Sequence, residues 1–261
     1  MSRAIRMLVA ATAVGGLALS GLMVAGAASA TVNGRGIHGP GSRYFGPGTG
    51  SRAAALATAG PISNRTFAGY QAGVPAGSAT VLTASFTVPT LSCTTTDRSI
   101  AADAGVLASK TASVAGVVTE CVSGTAVYYP WLLVNGTETD YTASPFAAGD
   151  VIDLTAKVST NRTRVQVTDV NTGVTQKIIG AGFSPRAAYV GDDGWGSSSG
   201  QLQHVPDFGK LTFKNCILDA KTLASWGPQA FQRVNSINTL QISNGNFWPG
   251  GTAFTTHFVH S

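Results

Sequence analysis

Side chains that alternate between apolar and polar constrain this chain more than any other feature. Leu82, Ala84, Phe86 and Val88 fall on one side of an extended segment, and Thr83, Ser85 and Thr87 on the other. Ile152, Leu154, Ala156 and Val158 alternate in the same way with Asp153, Thr155 and Lys157. Leu211 and Phe213 alternate with Lys210, Thr212 and Lys214, and Leu240 and Ile242, then Phe254 and Phe258, repeat the pattern. A period of two is that of a strand buried on one face. Turn formers punctuate these runs at Val74-Pro75-Ala76-Gly77, Ala148-Gly149-Asp150, Asn171-Thr172-Gly173, Asn244-Gly245-Asn246 and Pro249-Gly250-Gly251. No segment carries a long helical period. The expected fold is all-β, with two antiparallel sheets packed face to face.

The first thirty residues stand apart from this pattern. Arg3 and Arg6 precede a nearly unbroken apolar run from Met7 to Ala27, and Ala28-Ser29-Ala30 offers a small-x-small cleavage site. Residues 1–30 are therefore expected to be a signal peptide, and the remainder an exported protein with no membrane association after cleavage. Residues 31–61 are Gly-rich, carry Arg35, Arg43 and Arg52, and show no apolar periodicity. They are expected to form a flexible leader or a pro-segment. Residues 62–261 are expected to form one sandwich domain.

Without Arg3 and Arg6 the chain carries 15 basic and 12 acidic side chains, and they are scattered. A weak, dispersed excess of this kind is not the footprint of a nucleic-acid binder. Cys93, Cys121 and Cys216 are the three cysteines. In an exported chain a Cys93–Cys121 disulfide is the expected pairing, with Cys216 left over; three buried thiols are the alternative.

Several short segments follow one another along the chain: Phe67-Ala68-Gly69-Tyr70, Ala84-Ser85-Phe86-Thr87-Val88-Pro89 followed by Cys93, Cys121-Val122-Ser123-Gly124 and Tyr128-Tyr129-Pro130-Trp131. Ala148-Gly149-Asp150, Pro206-Asp207-Phe208-Gly209-Lys210-Leu211-Thr212-Phe213 and Gly250-Gly251-Thr252-Ala253-Phe254 continue the series. In this order they resemble the glutamic peptidases (eqolisins), particularly their bacterial branch. The resemblance implies a concanavalin A-like, lectin-like jelly roll of two curved sheets, with substrate on the concave one. Tyr129 and Trp131 share a face by the period of two, and the resemblance makes them candidate cleft residues, against the alternative that they are core aromatics. No cofactor or metal is implied. His257 and His260, three apart on a strand, would point to opposite faces.

The family's chemistry needs a Glu as general base and acid, and a Gln to hold water and the developing oxyanion. Matching the motifs to this chain places Val114 at the Gln position and Ala188 at the Glu position. Leu132 and Leu133 stand where the family has an aromatic residue and a Glu after Trp131. Composition makes the loss independent of register. Glu120 and Glu138 are the only glutamates, both upstream of the catalytic Glu region, and no glutamine lies between Gln71 and Gln166. Asp192 is a candidate substitute acid, although Asp192-Asp193-Gly194 reads more readily as a turn. The sequence therefore points to a secreted pseudoenzyme that binds an extracellular peptide, protein or glycan on its concave sheet. An acid endopeptidase with a rebuilt site and a lectin-like carbohydrate binder are the alternatives.

Overall fold

A computed structural model describes residues 60–94, 98–194 and 204–260, together with the backbone pairing of 43–44 with 195–196. The signal-peptide expectation, and most of the leader, lie outside the described residues. The strands in chain order are β1 (Arg43–Tyr44), β2 (Ile62–Asn64), β3 (Phe67–Gly73), β4 (Thr80–Thr87), β5 (Arg98–Leu107) and β6 (Ala112–Val122). There follow β7 (Thr125–Val134), β8 (Thr137–Asp140), β9 (Val151–Val158), β10 (Thr163–Asp169), β11 (Thr175–Gly180) and β12 (Ala187–Asp193). The last are β13 (Trp195–Gly196), β14 (Lys210–Leu218), β15 (Lys221–Thr222), β16 (Gln229–Val234), β17 (Leu240–Asn244) and β18 (Phe254–Phe258). A single 3-10 turn at Leu223–Trp226 is the one helical piece among the described residues.

Hydrogen bonding links the strands along one path, β11-β10-β9-β4-β14-β18-β17-β16-β3-β12-β5-β6-β7-β8. Every pairing on that path is antiparallel. The path folds back on itself at β14. Its first half, Lys210 to Phe213, pairs with β18, and the rest pairs with β4 across an irregularity between Lys214 and Ile217. Such a break lets one strand serve two sheets at a sandwich corner.

The two-sheet sandwich expected from the alternation is present. Leu82, Phe86, Ile152, Leu154, Val165 and Leu218 from one layer meet Ala102, Ala104, Val106, Val117, Leu132 and Val190 from the other in one continuous core. In β9 the apolar side chains point inward at every second position and Val151, Asp153 and Lys157 stand exposed. β5, β6 and β12 behave differently, because both of their faces are buried. Their outward side chains join a second cluster that includes Phe67, Val114, Val118, Tyr129, Trp131, Leu133 and Tyr189, all from the same layer.

Cys93 and Cys121 form a disulfide, with Cα atoms 5.4 Å apart, that ties the segment after β4 to the end of β6. Cys216 is a buried free thiol, and burial pushes it up to about 12.

Candidate functional site

Register across the larger layer places outward-facing residues in rows. The first row runs Gln229, Gln71, Tyr189, Gly105, Val114, Leu133, Glu138 from β16 to β8. The second runs Phe231, Gly69, Gly191, Asp103, Gly116, Trp131, Asp140. The third holds Phe67, Asp193, Ala101, Val118 and Tyr129, and the fourth Ser99, Glu120 and Val127.

Glycines make this face possible. Large rings lie over positions that lack a Cβ: Tyr189 over Gly105 and Phe67 over Gly69 and Gly191. The Trp131 ring edge and Asp103 flank Gly116, where a Cβ would stand 3.1 Å from Trp131 Cε3 and 2.6 Å from Asp103 Cβ. Ring-on-glycine packing fills the outer face, so Val114, Trp131 and Tyr189 are fully buried there.

The structure separates the two positions matched to the family's dyad. Val114 points to the outer face. Ala188 points the other way, into the core between the sheets. The outer-face residue in the row of Val114 is Tyr189, one strand beyond Gly105. Tyr129 and Trp131 share the outer face, as their spacing implied, and both are buried in it. Leu133 also faces outward, with Glu138 directly opposite it on β8. Leu132 faces the inner core.

The expectation that Asp192-Asp193-Gly194 is a turn is corrected. Asp192 and Asp193 end β12 and are buried, and Gly194 alone separates them from β13. A guanidinium makes this tolerable. Arg233 is fully buried and lies against Gly194, where an added Cβ would stand 2.1 Å from its Nη1. Burial lowers Arg233 to about 10, and the charges of Asp193 and Asp192 oppose that shift. The side chain therefore stays a cation at neutral pH. Asp192 alternates to the inner face beside Val190 and hydrogen-bonds Thr256, so it does not join the outer-face acids. Burial raises it to about 7 against the pull of Thr256 and Arg233.

Five carboxyls do face outward: Asp103, Asp193, Glu120, Glu138 and Asp140. Asp103 is fully buried between Gly191 and Gly116, and among the described residues neither of its oxygens accepts a hydrogen bond. Burial, then the charges of Asp193 and Asp192, raise it well above the usual carboxylate range. Burial raises Asp193 as well, and Arg233 opposes the shift. At the far edge burial lifts Asp140 to about 7, helped by Glu138 and Glu120. Tyr129 is raised by burial and then by Glu120, with which it hydrogen-bonds. The Trp131 indole donates to Glu138 Oε1 at 2.6 Å.

Two of these residues escaped the sequence reading. Asp103 is a lone acid in an otherwise apolar, small-residue run, Ile100 to Leu107, and that interruption was the available signal. Gln71 stands on the outer face beside Tyr189. Only strand register could reveal this, because Gln71 lies more than forty positions upstream of Val114.

The fold is thus a two-layer antiparallel sandwich with polar groups set on the outer face of one sheet. Residues 65–247 match the model of the peptidase A4 family, and the chain belongs to that family. Among solved structures it is similar to scytalido-glutamic peptidase bound to a transition-state analogue inhibitor. That match has a TM-score of 0.60 at 16% identity, covering 75% of this chain and 99% of that one. SCP-B, a member of the eqolisin family in complex with the tripeptide Ala-Ile-His, aligns with a TM-score of 0.58 at 16% identity, over 75% of this chain and 99% of that one. Aspergilloglutamic peptidase from Aspergillus niger aligns with a TM-score of 0.51 at 15% identity, over 62% and 99%. No curated protein sequence matches the chain. At these identities the structural likeness establishes the fold, in agreement with the eqolisin resemblance of the motifs.

Proposed function

We propose that this is an exported, non-hydrolytic member of the peptidase A4 family that binds an extended peptide along the β8 end of its outer face. One observation carries the proposal. In the row through Val114, Tyr189, Gly105, Val114 and Leu133 fill the four central places, which separate the amides of Gln229 and Gln71 at one end from the carboxyl of Glu138 at the other. A buried phenol raised above its usual range and a hydrocarbon can neither take a proton from water nor return one to a leaving amine at acidic pH.

Peptide binding draws support from two sources. The fold's solved relatives hold a tripeptide and a transition-state analogue inhibitor. Among the described residues β8 ends the sheet path, so its outer edge is a place for strand addition, and Glu138 and Asp140 are half-buried there. The glycan alternative would need an open aromatic platform, whereas Tyr129 and Trp131 are buried.

The test is to titrate secreted protein with short extended peptides by calorimetry and recover the peptides for mass analysis. Saturable binding with intact peptide is expected. Peptide recovered as fragments would refute the non-hydrolytic reading, and absence of binding would refute the peptide reading.

A further inference from the structure

Cations that are dispersed along the sequence are gathered by strand register on the exposed face of the smaller layer, which holds β11, β10, β9, β4 and the second half of β14. One row there runs Ile179, Arg164, Lys157, Val81, and the next runs Lys177, Gln166, Thr155, Thr83. Arg164 and Lys157 stand directly opposite each other on neighbouring strands, and Lys177 is diagonal to Arg164. All three cations are exposed. The carboxyl on this face of β9 is Asp153, four residues from Lys157 and so about 13 Å along the strand. Asp219 borders the β4 end of the first row, where its Oδ1 accepts the Val81 N–H at 2.6 Å.

Like charges placed directly opposite on adjacent strands oppose the sheet. An edge strand gains from a lysine, which wards off pairing with other chains, and that accounts for Lys177 on β11. It does not account for Arg164 and Lys157, which sit on internal strands.

A second observation is the polar ladder beside these cations. Arg164 Nη2 donates to Gln166 Oε1, and Gln166 Nε2 donates to Thr168 Oγ1 at 3.0 Å. Thr168 in turn shares a hydrogen bond with Thr175 at 3.1 Å. The ladder tethers the guanidinium over β10, so less freedom is lost when it grips an anion. The two rows hold no aromatic ring on which a nucleobase could stack. They offer cations one strand spacing apart, about 5 Å, beside amide and hydroxyl groups. That combination suits a polymer carrying both carboxylates and hydroxyls.

We propose that this face of β9, β10 and β11 binds an acidic polysaccharide. Arg164, Lys157 and Lys177 meet its carboxylates, and Gln166, Thr155 and Thr168 meet its hydroxyls. The site lies on the other sheet from β8 and is independent of the peptide reading.

The experiment titrates the purified protein by calorimetry with polygalacturonate, neutral pullulan, poly-L-glutamate and duplex DNA, at pH 7 and low salt. Polygalacturonate should bind saturably, several-fold more tightly than poly-L-glutamate or DNA at equal charge concentration, and pullulan should not bind. Affinity should fall with added salt. Lys157→Ala combined with Arg164→Ala should weaken polygalacturonate binding about tenfold. Lys210→Ala combined with Lys221→Ala, an equal change in net charge outside these rows, should leave it unchanged. Lys157→Ala alone should hold or raise the melting temperature, because it removes a like charge, so its loss of affinity is separable from unfolding. Lys177→Ala is the second variant if Lys157→Ala melts early. Equal losses from the two double variants would overturn the site in favour of overall charge. Poly-L-glutamate or DNA binding as tightly would overturn the polysaccharide, and absence of polygalacturonate binding would overturn the proposal outright.

Discussion

The Tyr189 ring lies directly over Gly105, where an added Cβ would stand 2.4 Å from Tyr189 Cε1. Both residues belong to the row that contains Val114, so this contact fixes the outer face at the place where the family's chemistry would be expected. Gly105→Ala should therefore destabilise the fold by about 1–3 kcal/mol through overpacking. Urea denaturation measures it, and combining the change with Tyr189→Ala should give clear non-additivity. Additive losses would show that the ring does not depend on that glycine.

Arg233 is the cation beside two buried carboxyls, Asp192 and Asp193. Arg233→Ala should cost roughly 3–5 kcal/mol at neutral pH, as expected when one partner of a buried ion pair is removed. The loss should be smaller at pH 4, where both acids, raised by burial, are neutral in the folded state. Melting curves of the variant and the native protein at the two pH values test both the size and the direction.

Asp140 and Asp192 each titrate near 7 in the folded protein, above the ordinary aspartate value of 3.8. An acid whose folded pKa is raised holds its proton better when folded. Stability should accordingly fall as pH rises from about 4 toward 7, and level off above that. Asp140→Asn should flatten part of this decline. A native melting temperature that rises across the same interval would contradict the assignment.

The Cys93–Cys121 bond closes a loop with a sequence separation of 28. On the chain-entropy account its loss should cost about 3–4 kcal/mol. Denaturation of the double serine variant gives the value, with Cys216 retained as the buried thiol.

The legible parts of the fold were the strands with one wet face. β4, β9 and the first half of β14 announced themselves because inward Leu, Phe and Ile alternate with Thr, Asp and Lys. β5, β6 and β12 did not, because both of their faces are buried and their sequences show no alternation. That blindness explains the error at Asp192 and Asp193. Locally the pair looks like the start of a turn, and only the distant Arg233 makes its burial in a strand affordable. That Glu120 and Glu138 are the only glutamates was legible from composition alone. The face of Ala188 was not, since a one-residue difference in register moves a side chain through the sheet.

The central claim is that the chain keeps the peptidase A4 sandwich without the reaction that defines its glutamic peptidases. The most direct measurement is the release of new amino groups from denatured casein by the purified protein, from pH 2 to pH 7. The account predicts no release above a protein-free control at any pH. Dose-dependent, saturable release that disappears in Asp103→Asn or Asp193→Asn, with folding intact, would contradict it and place a rebuilt acid site on the outer face.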